Sequence, residues 1–396
     1  MEEKLFYLPM IPNIPYIFRR WNDLITQWAQ HQLGVMIICL SLFAGFSILY
    51  FPNVIQKRMD NSWTSNDKYM IDFVNRKIEH PLVAMVDKDS REHYAKRELR
   101  ITPYLIGKVF HLNAIRLFYL QVLLLPFFLF LFFNLIRKLT GGDAPMAFWT
   151  TACILFTYVG HSFVYDTLFY DSYAFVFLLI ACYYYDRIWS VVALILAFFV
   201  DERSLFPALN LPLLFLFQSG ISQGKWSEVI RDFLWKNKAT QYLLLSYILY
   251  AFIRFYLYIY FHLETPMGKQ AGVQLGFAFL HGYKLPYALF SALKWAIILP
   301  VIALGYFVKQ GIWTTTWFYF STYLASFIAA TAVDDVTRSL TFCFPIIFVL
   351  FQIIHRLKEH ENARVLISLL FLANILTPTY TLLMHLERIS PFNWIY

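Results

Sequence analysis

Long apolar runs separated by short polar breaks dominate the chain. They fall at about 33–50, 114–136, 145–165, 168–185, 188–200, 204–218, 241–261, 286–308, 312–333, 339–354 and 364–385. Each run that reaches roughly 18–20 residues predicts a helix long enough to cross a ~30 Å hydrocarbon core. The runs at 188–200 and 204–218 are too short for that, and are open to a re-entrant pair or a tilted hairpin meeting at Asp201-Glu202-Arg203. Before the first run, Ile14, Phe18, Trp21, Leu24, Ile25 and Trp28 recur at helical spacing beside Arg19 and Arg20, the pattern of a helix lying on a membrane surface.

The expected fold class is therefore all-α. It is a polytopic membrane protein with about 11 transmembrane helices, two of them short, N-in/C-out, with a long helical first extracytoplasmic loop. Four divisions follow: an interfacial segment 1–32, a membrane module 33–218 containing the first outer loop 52–112, an amphipathic inner loop 219–240, and C-terminal membrane helices 241–396.

Composition agrees with the pattern. Hydrophobic residues make up 59% and charged residues only 15%, whereas a soluble domain carries about 25% charged residues to cover its surface. The net charge of +8 would suggest nucleic acid in a soluble protein; here anionic head groups and lipid phosphates are the better partners, and no nucleic acid is expected. Cys39, Cys153, Cys182 and Cys343 all lie within apolar runs, which argues against a disulfide framework or a zinc site. No cleavable signal pattern precedes the first run, so Met1 is expected to be retained.

Basic residues set the orientation. With the N-terminus inside, inner connections hold Lys4, Arg19, Arg20, Arg137, Lys138, Arg187, Lys225, Arg231, Lys236, Lys238, Lys309, Arg356, Lys358 and Arg364, fourteen against the five of the short outer ones; the eleven of the first loop are set aside because long loops cross regardless of charge. That arrangement puts the acidic clusters on one side: Asp60, Asp67 and Asp72, then Asp166 and Asp171, then Asp201-Glu202-Arg203, then Asp334-Asp335 with Arg338. Four polar groups facing one compartment predict one site.

Each group also has a plainer reading. The 201–203 triplet fits an ordinary hairpin tip with a local ion pair. Asp334 and Arg338 are i,i+4 neighbours on a helix, an intrahelical pair that leaves Asp335 without a partner. Alternatively, Arg338 could grip a phosphate in a bidentate fork. Tyr165, Tyr170 and Tyr173, near Asp166 and Asp171, suit an interfacial belt or a sugar-lining wall. His161, Lys294 and Arg254 read as satisfied or snorkelling residues. In the first loop, Tyr69, Met70, Phe73, Val74 and Ile78 form a helical pattern that His80-Pro81 should end. Carboxylates held at fixed depth beside a membrane suit proton abstraction from a hydroxyl.

A first span, an outer loop opening on an aspartate and many aromatic-rich spans together resemble the GT-C superfamily of polytopic glycosyltransferases. The resemblance is carried by Asp67-Lys68-Tyr69, His80-Pro81, Tyr94, Arg97 to Arg100 with Ile101-Thr102-Pro103, and the Glu202-Arg203 turn. It covers about the first 210 residues. The chain departs from the pattern at Lys68, where a glycine is usual, and in its Glu-Arg order.

The resemblance implies a polyprenyl-phosphate-linked sugar donor, a glycan, lipid or protein acceptor, and an inverting transfer in a bacterial inner membrane rather than the endoplasmic reticulum. It gives Asp67 or Asp60 the role of catalytic base. It gives Tyr69, His80, Arg97, Arg100, Asp166, Asp171, Glu202, Arg203, Asp335 and Arg338 the task of holding substrate. No cofactor is required, no metal ligand set is assigned, and a divalent cation (Mg or Mn) is compatible with such carboxylates. Rival classes are a transporter or flippase of lipid-linked or anionic substrates, a cell-envelope polysaccharide polymerase or ligase, and a scaffold subunit without chemistry.

Overall fold

The computed structural model describes residues 16–50, 65–85, 97–166, 168–214, 231, 235–263, 276–333, 335–382 and 386–390. Asp60, Tyr94 and Asp334, singled out above, lie outside the described residues, as do 219–230 and 232–234 of the inner loop.

The chain starts with α1 (Tyr16–Trp28) and α2 (Gln32–Tyr50), followed by α3 (Ser65–Glu79) and α4 (Ile101–Val109). The pattern predicted α1, α2 and α3, and α3 ends just before His80-Pro81, where proline disfavours helix. Met70, Phe73, Val74, Lys77 and Ile78 form the buried stripe of α3.

Next come α5 (Ala114–Leu139), α6 (Ala144–Leu155), α7 (Tyr158–Tyr165), α8 (Asp171–Tyr183) and α9 (Trp189–Phe198). Two 3-10 turns, Glu202–Leu205 and Pro207–Asn210, precede α10 (Lys238–Phe261). The α-helices that follow among the described residues are α11 (Leu285–Leu293), α12 (Ile298–Lys309), α13 (Trp313–Thr331), α14 (Val336–Thr341), α15 (Phe348–Leu357) and α16 (His360–Leu376).

The described residues are predominantly helical, with one departure from an all-α arrangement among them. The last apolar run does not stay helical to its end; α16 gives way to β1 (Thr379–Leu382), paired antiparallel with β2 (Leu386–Ile389) in the register Thr379↔Ile389.

Among the described residues, five helical stretches are long and apolar enough to cross a membrane: α2, α5, α10, Gly282–Lys309 and Val336–Leu357. A sixth is available if α6 and α7, bent by 55°, act as one broken span. The chain is thus an integral, multi-pass membrane protein by the length and apolarity of these helices. The bend has a local cause. Thr157 adopts an extended backbone and its hydroxyl accepts from Val159 N at 3.2 Å, opening a new helix. Gly160 completes it, since a Cβ there would stand 2.0 Å from the Leu155 carbonyl oxygen.

The 26-residue α5 is the axis of the bundle. At about 1.5 Å per residue it runs for about 39 Å. At its start, the hydroxyls of Tyr170 and Tyr173 donate to the carbonyls of Ala114 and Leu117 at 3.0 and 2.8 Å, fixing the head of α8. At its end, Lys138 Nζ donates to the Tyr183 carbonyl at 3.1 Å. Between them a phenylalanine core packs ring against ring: Phe128 on Phe163 and Phe344, and Phe175 on Phe342 and Phe344, with centroids 4.8–5.8 Å apart.

Two buried polar devices hold the bundle together. Asp143 caps α6 by accepting from Met146 N at 2.9 Å, and also takes Arg364 Nη2 at 2.8 Å and pairs with His360 Nδ1 at 2.7 Å, tying the starts of α6 and α16. Burial would raise its carboxyl, but the hydrogen bonds from His360 and Arg364 hold it below the ordinary value. At the other end of α16, the fully buried Lys294 donates to the carbonyls of Asn374 and Thr377 at 2.9 and 2.7 Å, where helix dipoles favour a cation. Of the two sequence readings of Lys294, the satisfied one is what the structure contains.

Candidate functional site

Residues from four distant segments meet at the α5 head. The first is the turn 97–100 with α4. Thr102 N donates to the Phe199 carbonyl at 3.1 Å, and its hydroxyl to the Leu196 carbonyl at 2.9 Å, clipping α4 to the end of α9. Tyr104 Oη donates to the Arg97 carbonyl at 3.1 Å and steadies the turn. Arg100 is thereby carried against Asp201, with Nη2 2.5 Å from Oδ2.

The second segment is the α7–α8 connection. Leu168 and Tyr170 have left-handed backbones (φ +66° and +63°), a conformation strained for such residues that compresses the link and places Asp171 first in α8. The position suits an anion, because helix N-termini carry partial positive charge. Gln121 of α5 supports this link by donating to the carbonyls of Ser162, Phe163 and Asp166 at 3.1, 3.1 and 3.2 Å.

The third segment is the turn after α9. Asp201 accepts from Arg203 N at 3.0 Å and pairs with Arg203 Nε and Nη2 through both oxygens, each at 2.7 Å. The fourth is α14, which supplies Arg338, and Asp335, which precedes it.

Asp171 joins them. Its Oδ1 lies 3.4 Å from Arg100 Nη1, and its Oδ2 lies 2.9 Å from Arg203 Nη2 and 2.5 Å from Arg338 Nε. Arg338 Nη1 also meets Asp335 Oδ2 at 2.8 Å, and Arg203 Nη1 donates to Ser339 Oγ at 2.5 Å. The Asp171 and Asp201 side chains are fully shielded, and the three arginines are at most 11% exposed. Aromatic rings floor the cluster: the Arg338 and Arg97 guanidiniums lie 4.0 and 4.5 Å from the Phe169 centroid, and Arg203 lies 4.9 Å from that of Phe342.

Burial alone would raise the carboxyls of Asp201, Asp335 and Asp166. At Asp201 the guanidiniums of Arg100 and Arg203 outweigh it and hold the group well below the usual carboxylate range. At Asp335 burial wins over Arg338 and Arg203, and the nearby Asp171 pushes the same way, so the carboxyl is raised. Asp166 is raised further, to about 8, by burial, only partly opposed by Arg338. It accepts from Tyr158 Oη at 2.7 Å, and that hydroxyl is 3.3 Å from Thr381 Oγ1 of β1, so the hairpin closes over this flank.

Of the residues predicted from sequence, Arg100, Asp171, Arg203, Asp335 and Arg338 meet in one cluster, with Arg97 sharing the Phe169 ring and Asp166 beside them. Arg97 Nη1 also reaches Met70 Sδ at 3.2 Å, bringing α3 alongside. Asp67 is half-buried in the first turn of α3, one turn before Met70. Tyr69 and His80 are exposed, Tyr69 beside α3's buried stripe and His80 just past the helix end. Glu202 is half-buried and takes part in none of these ion pairs.

Three details differ from expectation. Arg338 pairs with Asp335 at i,i+3, so Asp335 is not left over once the intrahelical pair forms. Tyr170 and Tyr173 are neither belt nor sugar wall; both are buried, with hydroxyls engaged by α5. The carboxylate that matters in the 201–203 turn is Asp201, whose side chain is buried, rather than Glu202. Phe169, Ser339, Tyr158 and Thr381 carried no sequence signal, since each lies in a stretch of similar residues.

Among the described residues, no group of three His, Cys, Asp or Glu side chains gathers as metal ligands. Compared with protein-family models, curated proteins and solved structures, the chain matches none of them.

Proposed function

We propose that this chain is a membrane glycosyltransferase that moves a sugar from a polyprenyl-phosphate-linked donor to an acceptor hydroxyl. The observation that carries the reading is the gathering of Arg100, Arg203 and Arg338 at one end of the bundle, beside the helix that bears Asp67. Asp67, or Asp60 in the preceding segment, takes the proton from the acceptor hydroxyl as its oxygen bonds to the anomeric carbon. The bond from that carbon to the phosphate oxygen breaks, and the lipid phosphate leaves with the electron pair, its charge met by the arginines. Attack opposite the leaving group inverts the anomeric centre.

A second reading has its own observation. Three guanidiniums already face the three carboxylates of Asp171, Asp201 and Asp335, so the cluster balances without a ligand and serves as a structural clasp.

Incubating the purified protein with a panel of polyprenyl-phosphate sugars separates the two. The enzyme reading expects transfer that is lost in Asp67→Asn or Asp60→Asn while the fold persists, and weaker donor binding in Arg338→Ala. Transfer at the wild-type rate in both aspartate variants removes the assigned base. No transfer from any donor, with Arg338→Ala changing only thermal stability, leaves the clasp.

A further inference from the structure

The opposite end of α5 carries a separate feature. A cavity of about 370 Å³ opens between the foot of α5 and the start of α2, lined by Gln32, Asn134, Arg137, Lys138, Gly141 and Gly142. Its chemistry is cationic. Arg137 is half-buried, and its Nε is shielded from solvent with no hydrogen-bond partner among the described residues. Lys138 gives one N–H to the Tyr183 carbonyl, and its Nζ lies 5.4 and 5.0 Å from the Tyr183 and Tyr185 ring centroids, so it adds charge beside the cavity more than a direct contact. Asn134 donates once to the Phe130 carbonyl at 3.0 Å, leaving its second amide hydrogen.

A helix C-terminus ordinarily repels an anion. Here Gly142 N donates to the Arg137 carbonyl at 2.8 Å, and Thr140 N and its hydroxyl both donate to the Ile136 carbonyl, so the last turn of α5 is closed off. The left-handed backbones of Gly141 and Gly142 (φ +66° and +104°) make that closure, and a Cβ on Gly142 would meet nothing within 4 Å, so the cavity mouth there is open. From the other side, α2 begins at Gln32 and presents the positive end of its dipole.

Directly beyond Gln32, α2 exposes Leu33, Met36, Ile37 and Leu40 along one face. This stripe, on a helix apolar enough to cross a membrane, is a surface for acyl chains. A phosphate-sized anion in the cavity would therefore sit at the head of a hydrocarbon track.

We propose that this cavity binds the phosphate of an anionic phospholipid, with Arg137 as the principal contact and the acyl chains lying along α2. The site is distinct from the arginine cluster, about the length of α5 away, and needs no assumption about the chemistry done there.

Native mass spectrometry of the detergent-purified full chain, titrated with dioleoylphosphatidylglycerol or dioleoylphosphatidylcholine, tests it. The phosphatidylglycerol should be retained about tenfold more tightly, and Arg137→Gln should reduce that preference about tenfold. Lys138→Glu, at an exposed position, should weaken it too, with Tm read alongside because the Tyr183 carbonyl loses its donor, whereas Lys309→Gln, a cation outside the cavity, should not. Equal retention of the two lipids, or an unchanged preference in both Arg137→Gln and Lys138→Glu, overturns the proposal. So does the pattern in which inorganic phosphate raises the wild-type Tm, fails to do so in Arg137→Gln, and no lipid is retained; that result assigns the cavity to a soluble phosphate.

Discussion

Nη2 of Arg100 sits 2.5 Å from Oδ2 of Asp201, and through this pair the end of the first loop is held against the turn after α9. In so closed a setting each has few partners: Asp201 also meets Arg203 at 2.7 Å, and Arg100 lies 3.4 Å from Asp171. Removing one partner of a buried pair typically costs about 3–5 kcal/mol, because the other is left uncompensated. Arg100→Gln and Asp201→Asn should each lower the thermal midpoint in detergent sharply. The double variant should recover part of the loss, and a double-mutant cycle read by thermal unfolding checks it. Strictly additive losses would mean that the two side chains do not act as a pair.

Arg338→Lys should behave nearly as badly as Arg338→Gln. Lysine keeps the charge but offers one point donor where the guanidinium meets both Asp171 and Asp335 and lies over the Phe169 ring. Comparing the thermal midpoints of the two variants decides this, and a lysine variant as stable as wild type would show that charge alone suffices.

The Asp166 carboxyl gives a pH dependence with a definite sign. Its folded value of about 8 lies above the ordinary 3.8, so the folded protein keeps a proton that the unfolded chain releases. The stability this contributes is fully present below about pH 4 and is lost as pH rises through 8. Asp166→Asn keeps an acceptor for Tyr158 and does not titrate. The difference in Tm between wild type and Asp166→Asn should therefore shift in favour of the variant between pH 4 and pH 8, then level off. A constant difference across that range would rule out a protonated Asp166.

Lys294→Met should destabilise the protein even though methionine suits the surroundings better than an ammonium group. It leaves the Asn374 and Thr377 carbonyls without their donor, at about 1–3 kcal/mol for each buried polar group so exposed. Thermal unfolding with a fluorescent thiol or intrinsic tryptophan readout measures it.

Gly160→Ala should be poorly tolerated, since its Cβ would lie 2.0 Å from a backbone oxygen that cannot move without straightening the bend between α6 and α7. Reduced yield and a lower Tm are the expected outcome; wild-type behaviour would mean that the bend is not required.

Hydropathy was a sound guide to where helices lie and a poor one to what surrounds them. The runs at 33–50, 114–136 and 241–261 correspond to α2, α5 and α10, continuous helices with lipid-length apolar stretches. The run at 339–354 is equally apolar for a different reason. In Val336–Leu357 the most apolar window is 83% buried inside the protein, against 22% for α10, so other helices rather than lipid cover it. Periodicity cannot separate those cases, because a helix buried on all sides has no polar face. The runs at 168–185 and 188–200 likewise yield the short helices α8 and α9. For the candidate site, the charged residues were conspicuous against an apolar background, and their meeting followed from placing them on one side. Pairing was not legible: nothing local says that Arg338 reaches Asp171 as well as Asp335, or that Asp201 is buried and Glu202 is not.

The cluster also constrains how the protein is made. Its first arginine is at position 100 and its last at 338, with Asp171, Asp201 and Arg203 between. During synthesis Arg100 and Asp171 enter an apolar bundle before Asp201, Arg203 and Arg338 exist, and Asp171 lacks its Arg338 contact until α14 has emerged. Chains that stop short of α14 would hold two carboxylates and two arginines in a clasp without its third guanidinium. The clasp is therefore completed late, by the Arg338 contact with Asp171 that only a nearly complete chain can form.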